Sequence, residues 1–361
     1  MNCNTLFHIK AELLCYGIQV IDEFTKELML QKNAYVFDSG FMHAAHFLID
    51  ETVINTCVAE QFCKKSPYSI VAKGDRFELL KNKEFVCNVQ VLELPDWCNE
   101  YIGKYKIGDF IRPHSKECIA CWPYLKCHYY NNARNCKFCS MGKYHLQEIL
   151  DEEIVAEMIN LALNHNPNYE IALSGGTCGA PDHTLKYFSN ICKRINHNGS
   201  RYISVEAAPP EDLSDIVALK ESGATAMIMN LEIVDEDLRK QLCPGKSSID
   251  RVHYLEAYKK AVDVFGMGNV SCVLIAGIQE NRDIECFCKE LVSIGVVPTI
   301  IPFKPLDGCE MNTHNCADPM DLVKISMKVD GLMDLKGLDA DKQQGCTKCN
   351  GCSLETIASK L

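Results

Sequence analysis

Apolar and polar positions follow a repeating order from Ile119 onward, in which short apolar runs alternate with longer amphipathic segments. The short runs predict strands at 170–174, 202–206, 226–230, 270–276 and 297–302. The longer segments predict helices at 148–165, 182–196, 210–222, 251–265 and 282–294. Strands that alternate with helices in this way run parallel and are joined by right-handed crossovers. We therefore expect an α/β fold, a partial (β/α)6 TIM-like barrel.

The chain before this alternation has a different pattern. It predicts a helix at 6–30, followed by short β-rich runs at 34–38, 46–57, 68–71, 77–80 and 85–94. Turn signals separate the runs, so residues 1–112 are expected to form a small α+β domain. The barrel is assigned to 113–310. A helix at 320–335 then leads into a cysteine-rich C-terminal extension, 311–361.

Composition narrows the class of protein. The chain has 361 residues, a hydrophobic content of 47% and a net charge of −11, which argues against a nucleic-acid partner. It has neither an apolar signal segment nor a membrane span, so we expect a cytoplasmic protein without a membrane partner. The 22 cysteines are therefore expected to be reduced thiols rather than a disulfide framework.

Three cysteines in the segment CHYYNNARNCKFCSMG form the most informative motif. Cys127 and Cys136 are separated by eight residues, Cys136 and Cys139 by two, and Phe138 precedes the last cysteine. Several soft thiolates that converge on one centre are typical of an iron–sulfur cluster. Two alternatives stay open. Cys121 can replace Cys127, and the pair Cys118-x2-Cys121 with Cys136-x2-Cys139 also suits a structural zinc site.

Polar and glycine residues follow the predicted strands at the point where each strand ends. These residues are Ser174 to Thr177, Glu206, Asn230, Glu232 and Gly277 to Glu280. In a barrel of parallel strands the active site is built at the carboxyl ends of the strands. The cysteine motif and these residues are therefore expected to share one mouth.

Taken together, residues 118–311 resemble the radical S-adenosylmethionine (radical SAM) superfamily, in particular its biotin synthase-like branch. The resemblance implies that Cys127, Cys136 and Cys139 are the catalytic cysteines that bind a [4Fe–4S] cluster. The cofactor S-adenosylmethionine chelates the open iron of such a cluster. One electron then splits a carbon–sulfur bond of the cofactor and releases a 5′-deoxyadenosyl radical.

The resemblance also assigns cofactor contacts to positions that match the family's motifs. Phe138, Ile275 and Gly277 are similar to residues near the adenine, and Asn230 and Glu232 to those that hold the ribose hydroxyls. The methionyl amine is assigned to the segment Ser174, Gly175, Gly176 and Thr177, and the methionyl carboxylate to Arg251. Thr177 stands where the family often has glutamate, so amine recognition falls to carbonyl groups or to Glu206. The eight-residue gap after Cys127 also departs from the usual three.

A second cysteine motif closes the chain. Cys346, Cys349 and Cys352 are spaced by two residues each, with glycines at 345 and 351, and predict an auxiliary iron–sulfur cluster. Its fourth position is either open or filled by another cysteine, with candidates at Cys118, Cys121, Cys309 and Cys316. A metal-storing tail or an end with incidental cysteines are the alternatives. We interpret His43, His46, His114, His128 and His145 as structural histidines rather than ligands.

The function expected from these residues is that of an oxygen-sensitive radical SAM enzyme. It would abstract hydrogen from a small-molecule or carrier-bound substrate and receive electrons from a donor such as ferredoxin or flavodoxin. The auxiliary cluster would donate sulfur or transfer an electron, so sulfur transfer and oxidoreductase or lyase chemistry all stay open. The alternatives are a zinc-binding regulatory or binding protein and a non-catalytic iron–sulfur electron carrier.

Overall fold

A computed structural model describes residues 2–32, 44–115, 117–143, 146, 148–195, 202–338 and 351–355. Within these residues the strands form a six-stranded sheet, a seven-stranded sheet and a two-stranded ribbon. The six-stranded sheet belongs to the N-terminal part of the chain, and the seven-stranded sheet is the barrel. Among the described helices, none is both long and apolar enough to cross a membrane.

The N-terminal sheet has the strand order β1-β4-β5-β6-β2-β3. All its neighbouring strands are antiparallel except β1 and β4, which run parallel. The elements of this part are α1 (Cys3–Tyr16), β1 (Gln19–Val20), α2 (Glu23–Gln31), β2 (Ala44–Ile49), β3 (Thr52–Cys57), β4 (Tyr68–Lys73), β5 (Arg76–Lys81) and β6 (Glu84–Val91).

Two N-terminal predictions are wrong in detail. The single helix predicted at 6–30 is two helices, because α1 ends at Gly17, whose φ of +68° continues no helix, and Asp22 caps a new one. The single strand predicted at 46–57 is a hairpin of β2 and β3. Its turn consists of Asp50 and Glu51, which both have positive φ. The strand predicted at 34–38 lies outside the described residues.

The barrel sheet has the order β15-β14-β13-β12-β11-β10-β9. Strands β10 to β15 are parallel, and β9 pairs antiparallel with β10 at one edge. The ribbon strands β7 (Tyr101–Ile102) and β8 (Tyr105–Lys106) precede it. The strands of the barrel are β9 (Ile111–Pro113), β10 (Cys118–Tyr124), β11 (Glu170–Gly175), β12 (Ile203–Glu206), β13 (Ala226–Ile228), β14 (Val270–Ala276) and β15 (Val297–Pro302).

Helices connect these strands and cover the sheet. They are α3 (His128–Asn131), α4 (Glu152–His165), α5 (Leu185–Arg194), α6 (Ser214–Glu221), α7 (Glu236–Leu242), α8 (Arg251–Phe265), α9 (Asn281–Ile294) and α10 (Pro319–Asp334). An aspartate caps four of them, at Asp151, Asp235, Asp250 and Asp318. The described residues thus confirm the α/β class and the partial barrel of six parallel strands.

The open edge of the partial barrel is covered rather than left to solvent. Helix α10 packs on both β15 and α1. The segment 351–355 lies along the same edge, where the Glu355 Oε1 atom accepts a hydrogen bond of 3.0 Å from the Ile300 backbone N–H. Leu354 of this segment is fully buried. Covering an edge strand satisfies its spare N–H groups and blocks pairing with another chain.

Truncation of this anchor should weaken the whole fold. We expect Leu354→Ala to lower the free energy of unfolding by about 2–5 kcal/mol, the usual cost of a cavity at a fully buried leucine. Chemical denaturation of the cluster-free protein would measure this. Leu335→Ala is the matched control, since Leu335 is 85% exposed and its truncation should change stability by less than about 0.5 kcal/mol. Equal effects of the two variants would contradict the packing of residues 351–355.

Candidate functional site

A loop that carries Cys127, Cys136 and Cys139 lies over the carboxyl ends of the barrel strands. Cys127 is the N-cap residue of α3, and the His128 N–H donates a 2.8 Å hydrogen bond to the Thr177 carbonyl beyond β11. The two segments touch at Gly176. A Cβ atom there would lie 2.0 Å from the Lys126 carbonyl oxygen and 2.9 Å from the Cys127 Cα atom. Only glycine permits this approach.

Backbone hydrogen bonds hold the same loop to two further strand ends. The Lys137 N–H donates to the Leu242 carbonyl at 2.8 Å, in the connection after β13. The Lys137 carbonyl accepts from the Glu310 N–H at 2.9 Å, in the segment after β15. The Gly245 N–H also donates to the Arg134 carbonyl at 2.8 Å. The cysteine loop is therefore fixed across the barrel mouth.

The three cysteines are partly buried and close enough to influence one another's ionisation. Burial and the neighbouring Cys136 raise the pKa of Cys139 to about 12. A hydrogen bond with Cys243, together with burial, raises the pKa of Cys136 well above its ordinary value. Burial likewise raises the pKa of Cys127. The charge of Lys246 opposes these shifts at Cys127 and Cys136 without reversing them, so the protein alone keeps the thiols neutral and a bound metal ion would deprotonate them.

An apolar group lies beside the cysteines. Phe138 packs against a small cluster separate from the main core, whose buried members are Ile275, Phe303, Cys309 and Met311. Ile275 is near the end of β14, and Phe303 directly follows β15. The structure thus brings Phe138 and Ile275 together in one apolar surface, suited in chemistry to the flat face of an aromatic base.

Polar side chains from successive strands form the floor of the mouth. The Asn230 Nδ2 atom donates to Glu206 Oε1 at 2.5 Å, and its Oδ1 atom accepts from the Val273 N–H at 3.0 Å. Glu232 Oε1 forms an ion pair of 2.6 Å with Lys246 Nζ. Burial raises the pKa of Glu206, against hydrogen bonding from Ser174 and the charge of Lys246.

One hydrogen-bond acceptor of the floor has no donor among the described residues. Glu232 Oε2 is buried and has no hydrogen-bond partner among the described residues. Glu232 also has a φ of +60°, a strained value for a residue with a side chain. An orphaned buried oxygen and a strained backbone at one residue are typical of a ligand contact. Glu232 therefore fits the ribose role that its position resembles.

Lys246 is a cation of the floor, paired with Glu232. Burial alone would lower the pKa of Lys246, but the charges of Glu232 and Tyr254 raise it well above its ordinary value. Arg251 instead starts α8 and lines a separate groove with Val234 and Phe287, among acidic side chains. The predicted contact of Arg251 with the methionyl carboxylate stays a prediction, and Lys246 is a second candidate for a carboxylate contact at the mouth.

The remaining glycine positions serve close packing. Gly175 ends β11, where a Cβ would lie 2.7 Å from the Tyr124 carbonyl oxygen. Gly277 has a φ of +93° and would place a Cβ 2.5 Å from that of Ala317. Gly277 therefore lets the segment before α10 cross the end of β14. Its predicted contact with the adenine stays a prediction.

The zinc alternative does not fit the backbone. Cys118 and Cys121 both lie in β10, in unbroken register with β11 from Glu170 to Leu173. Three residues of strand span about 10 Å and turn the two side chains to opposite faces. Cys118 and Cys121 therefore cannot coordinate the same zinc ion. Cys121 is also part of the main hydrophobic core, paired with Leu173 within the sheet, so it does not replace Cys127 at the mouth.

The described part of the chain contains no preformed metal-binding geometry. Among the described residues, no three histidine, cysteine or acidic side chains stand in a ligating arrangement. Of the auxiliary motif, Cys346 and Cys349 lie outside the described residues, and Cys352 lies beside Asn55 and His114. Cys309 is buried in the apolar group at the mouth.

Cys243 is a candidate functional residue that the cysteine motif does not include. Cys243 is fully buried and forms a hydrogen bond with Cys136, which places a fourth thiol at the cysteine loop. The only sequence signal for it is its position in the segment LCPGK, after the strand predicted at 226–230. Spacing alone gave no reason to join it to Cys136.

Comparison with known proteins finds a family match within the barrel. Residues 128–287, somewhat under half of the chain, match the family profile described as Radical SAM superfamily. That family implies a [4Fe–4S] cluster and S-adenosylmethionine as cofactors of the matched region. The close approach at Gly176 and the unpaired buried oxygen of Glu232 fit these groups.

Two curated relatives show sequence similarity. Over 112 residues the chain is 30% identical to the bacteriochlorophyllide c C-7(1)-hydroxylase of Chlorobaculum limnaeum, covering 30% of this chain and 28% of the relative. It is 22% identical to an uncharacterized protein of Methanocaldococcus jannaschii, covering 65% of this chain and 64% of the relative. The alignments therefore span less than two thirds of either relative.

Two solved structures are also similar. Methylornithine synthase is 14% identical, with a TM-score of 0.49 and coverage of 67% of this chain and 69% of that chain. A radical SAM methyltransferase from Sphaerobacter thermophilus is also 14% identical, with a TM-score of 0.48 and coverage of 74% and 75%.

The Gly176 contact makes a prediction about cluster assembly. Gly176→Ala should push the loop of Cys127 away from β11, because its Cβ would lie 2.0 Å from a backbone oxygen that no rotamer change can move. We expect most of the iron and sulfide per chain to be lost after anaerobic reconstitution. Gly331→Ala is the control, since nothing lies within 4 Å of a Cβ there. Full iron content in Gly176→Ala would contradict the cradle.

The buried ion pair makes a prediction about stability. Lys246→Met leaves the Glu232 carboxylate buried without its partner, which typically costs about 3–5 kcal/mol. The double variant Lys246→Met, Glu232→Gln removes both charges and should recover much of that loss. Denaturation of the cluster-free proteins would measure the difference. A double variant no more stable than the single one would show that the pair is not electrostatically coupled.

Proposed function

We propose that this protein reductively cleaves S-adenosylmethionine at a [4Fe–4S] cluster held by Cys127, Cys136 and Cys139, and that it uses the resulting radical on a substrate inside the barrel. The observation that carries the proposal is the cysteine loop, tied by backbone hydrogen bonds to the ends of β11, β13 and β15 above a floor of buried polar groups. The match of residues 128–287 to the Radical SAM family profile supports the chemistry in general.

The cofactors would supply the bond cleavage: one electron from the cluster splits a carbon–sulfur bond, giving methionine and a 5′-deoxyadenosyl radical that takes a hydrogen atom from the substrate. The chain's residues would bind and orient. Phe138 and Ile275 provide an apolar face for the adenine. Glu232 offers its unused oxygen to a ribose hydroxyl, beside the Asn230 amide that Glu206 already holds.

The methionyl carboxylate and amine of the cofactor would find groups of opposite charge at the floor of the mouth. Lys246 lies within reach of the mouth and provides a cation for the carboxylate, although it must share its charge with Glu232. Carbonyl groups of the segment 174–177, or the Glu206 carboxylate, would accept hydrogen bonds from the amine. Binding of the cofactor would therefore rearrange the Glu232–Lys246 pair, since both members acquire new partners.

The substrate and the reductant belong to the same proposal. The relative named as a hydroxylase acts at a carbon position, which is in keeping with hydrogen abstraction from carbon. We propose a small-molecule or carrier-bound substrate, electrons from a ferredoxin or flavodoxin, and an auxiliary iron–sulfur cluster at Cys346, Cys349 and Cys352. That cluster would either donate sulfur or transfer an electron.

Reductive cleavage can be tested without knowing the substrate. Anaerobically reconstituted protein, incubated with dithionite and S-adenosylmethionine, should release 5′-deoxyadenosine and methionine, both measured by chromatography. Cys136→Ala and Cys139→Ala should abolish release, because each removes a cluster ligand. Cys286→Ala is the matched control, since Cys286 is an exposed thiol on α9 away from the mouth. Product formation undiminished in Cys136→Ala and Cys139→Ala would refute the proposal.

A further inference from the structure

The turn between α7 and α8 brings Lys246 to the floor of the mouth. This lysine turn consists of residues 243–250 and contains a short 3₁₀ helix, Lys246–Ser248. The Gly245 N–H of the turn donates a 2.8 Å hydrogen bond to the Arg134 carbonyl of the cysteine loop. The lysine turn therefore connects a cation of the floor with the loop that carries the three cysteines.

A buried arginine on α7 binds the backbone of this turn. The Arg239 side chain donates from Nη1 to the Ile249 carbonyl at 2.8 Å and from Nη2 to the Lys246 carbonyl at 3.0 Å. Arg239 is only 4% exposed. The nitrogens of a guanidinium lie in one rigid plane, so they hold the two carbonyl groups at a fixed separation. A lysine or an amide at this position would not reproduce that paired contact.

An aromatic ring holds the guanidinium in place. The central carbon of the Arg239 guanidinium lies 5.2 Å from the centroid of the Tyr254 ring, within the range of a cation–π contact. Tyr254 is fully buried, and its hydroxyl donates a 3.1 Å hydrogen bond to the Asn230 carbonyl at the floor. Arg239 is therefore fixed between the lysine turn on one side and a ring attached to the floor on the other.

The charge of Arg239 is not neutralised by a carboxylate. Within the part of the chain that the structure describes, Arg239 forms no ion pair, and its Nε atom is buried without a hydrogen-bond partner. A buried cation of this kind is costly, and a neutral side chain would join α7 to the turn at lower cost. Proteins keep such costly groups where function depends on the geometry that they impose.

We propose that Arg239 is a positioning residue for S-adenosylmethionine, which holds the backbone of Lys246 so that the lysine side chain can reach the methionyl carboxylate. The inference rests on the proposed function, in which Lys246 is a candidate for that contact. Lys246 Nζ now lies 2.6 Å from Glu232 Oε1, so its side chain already points to the floor. With its backbone fixed by Arg239, only the side chain has to move when the cofactor binds, which lowers the ordering cost of binding.

Cofactor affinity gives the first test. Binding of S-adenosylmethionine to the full-length, anaerobically reconstituted protein can be measured by equilibrium dialysis without reductant, so that no turnover takes place. Arg239→Lys keeps a cation but loses the paired contact, and we expect it to raise the dissociation constant about 10-fold, the effect of losing one charge-assisted hydrogen bond. Arg282→Lys is the matched control, because Arg282 is an exposed arginine on α9. Unchanged affinity in Arg239→Lys would overturn the proposal.

A double-variant cycle separates the positioning of Lys246 from a general effect on the fold. Lys246→Met removes the proposed carboxylate contact and should itself weaken binding. In that background, adding Arg239→Lys should change the dissociation constant by less than about 2-fold, because the group that it positions is already absent. Equal weakening by Arg239→Lys with and without Lys246 would show that the arginine acts through the fold and would overturn the proposal. Affinity of Lys246→Met equal to that of the wild type would do the same.

A measurement on the cluster-free protein keeps the test decisive should Arg239→Lys fail to fold or to assemble a cluster. Arg239→Gln buries no charge and also lacks the paired contact, so Lys246 is held less firmly against Glu232. The loss in denaturation midpoint that Lys246→Met causes should therefore shrink to roughly half or less in the Arg239→Gln background. The same loss in both backgrounds would mean that Arg239 does not direct Lys246, against the proposal.

The outcomes are distinguishable from those of the proposed function. Release of 5′-deoxyadenosine by the wild-type protein tests cofactor cleavage and does not depend on the role of Arg239. A wild type that binds and cleaves the cofactor, together with an equally tight Arg239→Lys variant, would refute this inference alone. A wild type that does not bind S-adenosylmethionine would refute the proposed function and this inference together.

Discussion

The close contact between Gly176 and the backbone of Lys126 and Cys127 is the constraint on which the site depends. A side chain at 176 would overlap the Lys126 carbonyl, so the loop lies flat on the end of β11 only because that position is glycine. The hydrogen bonds of Lys137 to Leu242 and Glu310 then fix the far end of the loop. Without the first contact, Cys127 would no longer be held at the end of β11, and only the end of the loop with Cys136 and Cys139 would stay fixed.

The floor of the mouth combines a strained backbone, a buried ion pair and an unpaired carboxylate oxygen at one residue, Glu232. Glu232 has a positive φ, a conformation that costs about 1–3 kcal/mol at a residue with a side chain. Backbone hydrogen bonds with Val273 and Ile275 on β14 maintain it. One of its oxygens binds Lys246 and the other is left buried without a partner among the described residues. A hydroxyl-bearing ligand would give that second oxygen a hydrogen-bond partner.

The order of the barrel was predictable because hydrophobic runs and helical segments alternate strictly, and each strand end was already marked by polar or glycine residues. The break of the first helix at Gly17 was not, since the apolar pattern continues past it and only the cap at Asp22 starts a new helix. Likewise, Asp50 and Glu51 adopt positive φ although neither is glycine, so the hairpin at 44–57 has no sequence signal. The role of Lys246 depends on a tertiary contact with Glu232, fourteen positions away, which spacing cannot express.

The two Cys-x2-Cys segments show most directly what spacing leaves undecided. At Cys118 and Cys121 the backbone is a strand and the side chains diverge. At Cys136 and Cys139 it is a turn, closed by a 3.0 Å hydrogen bond from the Cys139 N–H to the Cys136 carbonyl, and the two thiols are close enough for Cys136 to raise the pKa of Cys139. Identical spacing thus occurs on two different backbone conformations, and the flanking sequence decides between them: a β-rich apolar run around the first pair, and Asn135 and Gly142 around the second. A cysteine motif is therefore evidence for a metal centre only together with the backbone conformation that its neighbours impose.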